Sequence, residues 1–445
     1  MKKKVALHTL GCKLNFSETS TIGNQFMQRG YSIVDAKEKA DIYVFNTCTV
    51  TENADRECRQ LIRSALRKNP SAYIIVTGCY AQLRPEEIAG INGVDVILGS
   101  KEKFNLFRII DDFNKNDLAC IFVSPTVSLT GFGEAHSTNA DSRTRAYFKI
   151  QDGCDYKCSF CTIPLARGIS RSMDFKNAVD EFKGLVNNGY KEIILTGVNV
   201  GDFGNRQNTD LYKLLKELVR VDGEFRIRLS SIEPNLLSDD IIGLIADEEK
   251  LCDHLHIPLQ SGSPVILKAM QRRYTISDYK KVIGNAADKI KDAGIGVDVI
   301  VGSPGETDED FWLTYNFIKD LPVSYLHVFT YSERPDTLAI NLPGRVDVNE
   351  RKKRNKILRN LSEKKRLLFY EKMLGKEFDV LFENENHRGK MMGFTSNYIR
   401  VAADYKQDLI NRLTKVNLTG IDDRGLCECN IEDINNSVDL VQSLK

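Results

Sequence analysis

The chain has 445 residues, of which 42% are hydrophobic and 28% charged, with a formal net charge of +1. This composition excludes intrinsic disorder, and no uninterrupted apolar stretch approaches the roughly 18–20 residues of a membrane helix. Met1 to Lys4 lead directly into a strand-like segment rather than a signal-peptide core, so we expect a cytoplasmic protein without a membrane partner. Eleven cysteines are too few for a disulfide scaffold and suit ligands, catalysts or core positions.

Residues 1–120 alternate between short apolar runs and helical stretches. Strands are predicted at 4–10, 41–46, 73–77 and 94–98, and helices at about 17–29, 54–68 and 101–114. This alternation favours an open parallel α/β sheet. A stretch rich in Ser, Thr, Gly and Asp follows, and we interpret residues 121–143 as a linker.

Residues 144–346 repeat the strand–helix unit six times. Strands are predicted at 146–151, 192–196, 226–230, 254–258, 296–301 and 325–330, with helices at 175–187, 211–221 and 276–292 among them. Six such units predict a partial parallel barrel, and an open doubly wound sheet is the alternative.

Residues 347–372 read as a charged linking helix. Residues 351–376 contain eleven basic residues and two acidic ones, Glu363 and Glu371, which gives a net charge of +9. Such a segment could track phosphates, although a basic helix face is often only solvated. Short alternating runs in residues 373–434 predict a small all-β barrel, and 435–445 form a tail.

Three cysteines, Cys154, Cys158 and Cys161, follow directly on the first strand of the central unit. Thiolates this close can ligate three irons of a cubane cluster and leave the fourth iron open. A structural zinc site would need a fourth ligand, and no further Cys or His lies within seventeen residues on either side. A disulfide with a spare thiol suits a cytosolic chain poorly.

This C-x3-C-x2-C spacing, with Phe160 before the last cysteine, resembles the signature of the radical S-adenosylmethionine (SAM) superfamily. The resemblance implies a 4Fe–4S cluster whose open iron binds SAM, which is cleaved reductively to a 5′-deoxyadenosyl radical. It also implies SAM contacts at the carboxyl ends of the barrel strands, although such residues commonly just end strands. The expected SAM-binding residues are Phe160, Thr196, Gly197, Asn199, Ser231, Glu233, Gln260 and Gly302.

A second set of cysteines, Cys12, Cys48 and Cys79, lies in the N-terminal unit. The intervals of 36 and 31 residues each match one strand–helix unit, so all three fall just past the carboxyl ends of successive strands. That edge is where an open α/β sheet forms its binding crevice. A second cluster site is the favoured interpretation, and buried small hydrophobes are the alternative. For the remaining five we expect structural roles: Cys58, Cys120, Cys252, Cys427 and Cys429.

The order of these parts resembles the methylthiotransferase family over about residues 3–431, with a TRAM domain as the terminal barrel. The resemblance implies that Cys12, Cys48 and Cys79 ligate an auxiliary 4Fe–4S cluster, and that the central three cysteines ligate the radical SAM cluster. Sequences around Cys12, Lys149 and Arg228 are most similar to the branch acting on N6-threonylcarbamoyladenosine in tRNA. Alternatives are isopentenyladenosine and a ribosomal-protein aspartate.

We therefore expect an enzyme that converts N6-threonylcarbamoyladenosine at tRNA position 37 to its 2-methylthio derivative. The implied cofactors are two 4Fe–4S clusters and SAM. The implied partners are a tRNA anticodon stem–loop, an electron donor such as flavodoxin or ferredoxin, and a sulfur donor. Arg167 and Arg171 are expected either to contact the nucleotide backbone or to anchor the cluster loop. A non-catalytic iron–sulfur RNA-binding protein is the alternative from another class.

Overall fold

The first unit is a parallel sheet flanked by helices. The structure is a computed structural model that describes residues 2–138 and 144–431. Six parallel strands lie in the order β2-β1-β3-β4-β5-β6. These are β1 (Lys4–Thr9), β2 (Ser32–Val34), β3 (Ile42–Thr47), β4 (Tyr73–Gly78), β5 (Val96–Leu98) and β6 (Cys120–Phe122). The helices are α1 (Lys13–Gln28), α2 (Glu52–Lys68), α3 (Cys79–Leu83), α4 (Pro85–Ala89) and α5 (Leu106–Ile109).

The predicted open parallel sheet is confirmed, and β3 and β4 are buried along their whole length because helices cover both faces. The helix predicted at 101–114 is wrong: a 3₁₀ turn at Lys103–Asn105 and the single turn α5 take its place. There, Phe107 and Phe113 both pack on Phe26, and this aromatic packing overrides local helix propensity. The sheet also extends to Phe122, into the segment predicted as linker.

The central unit is an open parallel barrel. Its strands β7 (Arg145–Lys149), β10 (Glu192–Thr196) and β11 (Arg226–Leu229) form one sheet, and β12 (His254–His256), β13 (Gly294–Val301) and β14 (Tyr325–Thr330) form the next. A parallel bridge from Ser231 to His256 joins them. A short hairpin, β8 (Gln151–Asp152) and β9 (Arg171–Ser172), lies beside the cysteine loop. The order follows the chain without the reversal of a doubly wound sheet, so the partial barrel is confirmed.

Helices α6 (Ile163–Arg167), α7 (Phe175–Asn187), α8 (Leu211–Leu218), α9 (Asp239–Asp247), α10 (Pro264–Ala269), α11 (Ile276–Lys289) and α12 (Asp308–Asp320) belong to this unit. In β13, Val297 and Val299 belong to the apolar core, while Asp298 between them does not. Alternate residues of a strand face opposite sides. Asp298 therefore faces the inside of the barrel.

The last unit is a closed five-stranded barrel reached through the long helix α13 (Val348–Met373). Its strands are β15 (Glu377–Phe382), β16 (Lys390–Phe394), β17 (Arg400–Asp404), β18 (Leu413–Ile421) and β19 (Cys427–Ile431). This is the small all-β barrel that the sequence predicts. The predicted tail at 435–445 and residues 139–143 of the predicted linker lie outside the described residues.

The basic segment around α13 contributes fewer free charges than its net charge of +9 implies. Arg351 and Arg354 are 3% exposed and pair with Glu333 and Glu306 respectively. Lys365 donates from Nζ to the carbonyl oxygens of Lys319, near the end of α12, and of Leu321, just after that helix. Because these side chains hold the helix against the barrel, they are not available to phosphates. Six basic residues of the segment remain exposed: Lys352, Lys353, Lys356, Arg359, Lys364 and Lys372.

Buried arginines fasten the terminal barrel to the central one. Arg226 donates to the carbonyl oxygen of Phe394 at 2.7 Å, and Arg228 donates to those of Thr395 and Ser396 at 2.9 and 2.7 Å. Glu192 accepts from both guanidinium groups. The carboxylate compensates charge that would otherwise be buried unpaired. Across residues 2–138 and 144–431, the structure contains no helix with the length and hydropathy of a bilayer span.

Candidate active site

The cysteines of the first unit converge at one edge of its sheet. Cys12 precedes α1, Cys48 follows β3 and Cys79 begins α3, so all three leave the carboxyl ends of adjacent parallel strands. Gly11 has a φ of +101°, and a Cβ there would lie 2.6 Å from the Cβ of Cys48. Only glycine allows this approach. We call Cys12, Cys48 and Cys79 the N-terminal triad.

The N-terminal triad consists of free thiols in a mostly dry setting. Cys48 and Cys79 are buried, and Cys12 is exposed. Burial raises the pKa of Cys48 to about 12, and the neighbouring Cys79 and Cys12 add to the shift. Thiols of this kind deprotonate when a metal binds them. The donor set therefore fits an iron–sulfur cluster with three thiolate ligands and an open iron.

The cysteines of the second unit lie in one tight loop after β8. Cys161 donates its amide to the carbonyl oxygen of Cys158, and Cys154 donates to that of Gly168, both at 3.1 Å. We call Cys154, Cys158 and Cys161 the central triad. Arg272, which the sequence did not indicate, donates from Nη1 to the sulfur of Cys158 at 3.1 Å.

Neither triad is arranged for a single zinc ion. Zinc–sulfur bonds of about 2.3 Å would bring tetrahedral thiolates within about 4 Å of one another. Within the described part of the chain, only His256, Asp298 and His327 bring three ligand atoms within 4.8 Å of one another. Since the three sulfurs of neither triad all lie within 4.8 Å of one another, the geometry disfavours the zinc alternative.

Unpartnered polar atoms collect at the carboxyl ends of the barrel strands. These buried atoms have no hydrogen-bond partner among the described residues: Thr196 Oγ1, Asn199 Nδ2, Ser230 Oγ, Gln260 Oε1 and Ser303 Oγ. Buried polar groups are nearly always paired, so a set of exceptions at one rim indicates a small polar ligand. Three of the five, on Thr196, Asn199 and Gln260, belong to residues expected from the sequence to bind SAM. The residues fit that cofactor.

The other expected SAM-binding residues have different surroundings. A Cβ on Gly197 would lie 2.9 Å from Gln151 Oε1, and one on Gly302 would lie 2.2 Å from Arg351 Cγ. Both glycines therefore allow a neighbouring side chain to pack closer than a Cβ atom would permit. Glu233 forms an ion pair with Arg272, and its amide donates to Asn199. Ser231 bridges to β12, and Phe160 lies in an apolar wall with Met270.

A polar cluster inside the barrel was not predicted from the sequence. His256 Nε2 lies 2.9 Å from Asp298 Oδ1, and His327 Nδ1 lies 3.4 Å from the same oxygen. The two imidazoles hold the pKa of Asp298 below its ordinary range, against the effect of burial. The feature of the sequence that could have indicated this cluster is Asp298, a single acidic residue within the apolar strand β13.

Arg167 and Arg171 anchor the cluster loop. Arg167 is 2% exposed and binds Glu18, Asn15 and Asp152. Arg171 donates to the carbonyl oxygens of Arg167 and Ile169. This outcome agrees with the anchoring alternative, because a guanidinium buried in ion pairs cannot reach a nucleotide backbone.

The remaining five cysteines are separate from both triads. Cys58, Cys252 and Cys427 are buried, as a structural role requires. Cys429 is half-buried, and Cys120 is exposed on the edge strand β6, where it contributes little to a core.

Comparison with known proteins agrees with this architecture. Residues 4–99 match the family described as "Uncharacterized protein family UPF0004", and residues 148–318 match the radical SAM superfamily. The chain is 40% identical over 419 residues to the threonylcarbamoyladenosine tRNA methylthiotransferase MtaB of Aquifex aeolicus, covering 93% of this chain and 99% of that protein. It is 32% identical to the tRNA-2-methylthio-N(6)-dimethylallyladenosine synthase of Endomicrobium trichonymphae, covering 93% and 96%.

Among solved structures, the radical SAM methyltransferase TsrM of Kitasatospora setae has a similar fold. The TM-score is 0.53 at 16% identity, over 76% of this chain and 77% of that one. The first matched segment contains the N-terminal triad, and the second contains the central triad and most of the barrel strands. The cofactors of such enzymes are SAM and 4Fe–4S clusters. The chain belongs to the radical SAM methylthiotransferase family.

Proposed function

We propose that the protein converts N6-threonylcarbamoyladenosine at tRNA position 37 to 2-methylthio-N6-threonylcarbamoyladenosine. The observation that carries the proposal is the presence of two cysteine triads, one on each of two packed units, in a chain 40% identical to an MtaB enzyme over 93% of its length. Replacing the hydrogen at adenine C2 has no acid–base route, so an enzyme of radical chemistry is required. SAM bound at a reduced cluster supplies the radical.

We assign the auxiliary cluster to the N-terminal triad, within residues 1–120, and the radical cluster to the central triad, within residues 144–346. Thr196, Asn199 and Gln260 would hold SAM through their unpartnered polar atoms. Arg272 would orient Cys158 and neutralise thiolate charge. The barrel walls would exclude water from the reacting centre.

A basic groove on the terminal barrel supports tRNA as the partner. The groove has a volume of about 550 Å³. Its basic side chains are His387, Arg388, Lys390, Arg400 and Arg424. Phosphates are bound by such clusters through charge and shape, as expected for an anticodon stem–loop. We assign residues 373–434 this TRAM-type role.

The enzyme also needs a source of electrons and a source of sulfur. The clusters need a low-potential electron donor such as flavodoxin or ferredoxin, and repeated turnover needs a separate sulfur donor, because the product carries sulfur away. Because the proposed substrate is a tRNA, we expect the enzyme to act in the cytoplasm.

The test is an anaerobic assay with three substrates: tRNA carrying N6-threonylcarbamoyladenosine, tRNA carrying N6-isopentenyladenosine, and ribosomal proteins. We expect the methylthio group on the first tRNA alone. A Cys12/Cys48/Cys79→Ala variant should bind about four irons instead of about eight and cleave SAM without methylthiolation. Product on the second tRNA or on protein would replace the substrate assignment, and tRNA binding without SAM cleavage would exclude the enzyme.

A further inference from the structure

A buried network of charges lies between the two triads. Glu18 of α1 accepts from Arg167 at 2.9 Å and from Lys149 at 3.2 Å, and its carboxylate forms an ion pair with Lys103 Nζ at 2.6 Å. Asp152 of β8 accepts from Arg167 at 3.0 Å and forms an ion pair with Lys149 Nζ at 2.7 Å. The side chains of Glu18, Lys103, Lys149 and Arg167 are all at most 2% exposed. Members of both units therefore meet in a dry interface.

The network reaches the backbone of both cysteine loops. Asn15 accepts from Arg167 Nη2 at 2.6 Å and donates from Nδ2 to the carbonyl oxygens of Leu10 and Thr47. Leu10 lies two residues before Cys12, and Thr47 directly precedes Cys48. Asp152 accepts the amide of Gly153, the residue before Cys154. A shift of the guanidinium of Arg167 would therefore move parts of both triads.

A short helix connects the triads through Arg167. The helix α6 starts two residues after Cys161 and ends at Arg167, a rise of about 6 Å along the helix. It packs on α3, which begins at Cys79.

The charges of the network do not balance. Burial lowers the pKa of Lys103 to about 8, so at pH 7 Lys103, Lys149, Arg167 and Arg171 supply four positive charges; Glu18 and Asp152 supply two negative ones, which leaves +2. Burial raises the pKa of Glu18, but its three cationic partners, Arg167 foremost, hold it well below the ordinary value, so the carboxylate is charged. Uncompensated charge in a dry interface is costly unless an anion lies beside it. A cluster bound by three thiolates is such an anion.

We propose that Arg167 is a positioning residue of this enzyme: it fixes the N-terminal triad against the central cluster loop and supplies the excess positive charge that stabilises the reduced auxiliary cluster. The inference rests on the ligand assignment proposed above and not on the nucleoside substrate. Glu18 sets the size of that excess, since removing its charge raises the net charge of the network.

The electrostatic test uses a Cys154/Cys158/Cys161→Ala background, so that the auxiliary cluster is the one measured. Arg167→Gln should shift the midpoint potential of that cluster to a more negative value, and Glu18→Gln should shift it to a more positive value. Arg351→Gln, which removes an equally buried guanidinium from α13, should leave it unchanged. Unchanged potentials in both network variants, or shifts of the same sign, would overturn the proposal.

The positioning test uses the full chain with both triads intact. Arg167→Lys keeps the charge but loses the fork that binds Asn15 and Glu18 together. We expect its potential to stay close to that of the wild type, while the magnetic coupling between the two reduced clusters changes. Unaltered coupling in Arg167→Lys would contradict the positioning role. If the background protein binds no iron, the ligand assignment itself fails, which is a different result from iron present with unshifted potentials.

Discussion

The guanidinium of Arg272 joins the sulfur of Cys158 to the carboxylate of Glu233. Its Nη1 donates to the sulfur at 3.1 Å, and its Nη2 forms an ion pair with Glu233. The side chain of Arg272 is 3% exposed, so the hydrogen bond to sulfur lies in a dry setting. Hydrogen bonds to cluster sulfurs and nearby cations both stabilise the reduced state of a cluster.

Replacing Arg272 should therefore impair reduction of the radical cluster. In Arg272→Met we expect full iron content but a more negative potential, and SAM cleavage slower by on the order of tenfold, as loss of one charged hydrogen bond implies. The measurement is the rate of 5′-deoxyadenosine formation under a fixed reductant. The neighbouring Arg273 is exposed and stacks on Tyr156, so Arg273→Met is the matched control and should keep the wild-type rate. Equal rates in both variants would remove Arg272 from the site.

The second prediction concerns Gly11, whose backbone lies close to Cys48. In Gly11→Ala the new Cβ would lie 2.6 Å from the Cβ of Cys48, at a backbone φ of +101°. Cys48 must then move away, so we expect about four irons per chain instead of about eight, with SAM cleavage retained. The control is Gly30→Ala, where φ is +83° but nothing lies within 4 Å of the added Cβ. Iron loss in the control as well would show that backbone strain, rather than contact with Cys48, is responsible.

The ion pairs of Arg226 and Arg228 with Glu192 predict how the stability of the protein depends on pH. Burial raises the pKa of Glu192, but Arg228 and Arg226 hold it well below its ordinary value of 4.5. A carboxyl group with a depressed pKa contributes its full stability above the unfolded-state value and loses it as the pH falls below that value. Glu192→Gln should lower stability by about 3–5 kcal/mol between pH 8 and pH 5.

The difference between wild type and Glu192→Gln should narrow only below about pH 4.5, as the wild type becomes protonated. Thermal unfolding of the two proteins side by side measures this difference at each pH. Glu224→Gln removes an exposed partner of Lys191 and should cost at most about 1 kcal/mol throughout. A difference for Glu192→Gln that already narrows between pH 8 and pH 6 would contradict the depressed pKa.

The cysteine spacing and strand repeats were enough to predict the three units and the edge at which Cys12, Cys48 and Cys79 meet. Local patterns carry such information because strand and helix periods act over a few residues. The network around Arg167 could not be predicted, because Glu18 and Arg167 are separated by 149 positions and their pairing depends on how two units pack. Likewise, nothing in the sequence near Arg351 indicates that it is buried while Lys352 beside it is exposed.

The last prediction concerns the groove of the terminal barrel. Arg388 and Arg400 line it, and neither forms a salt bridge within the described ranges, whereas Lys390 pairs with Asp404 and Arg424 with Asp422. Replacing each arginine by Gln should weaken tRNA binding and lower the slope of log affinity against log salt by about one per residue. SAM cleavage without tRNA should be unchanged, since among the described residues neither arginine has a hydrogen bond or ion pair with a cysteine of either triad.

The control is Lys183→Gln, which removes an exposed cation from α7 of the central unit. Filter binding of the unmodified tRNA between about 50 and 200 mM salt gives the slope for each protein. Wild-type slopes for Arg388→Gln and Arg400→Gln would show that the tRNA does not contact this groove. The exposed cations of α13, such as Lys356 and Arg359, would then be the next surface to test, because the buried ones already have partners in the barrel.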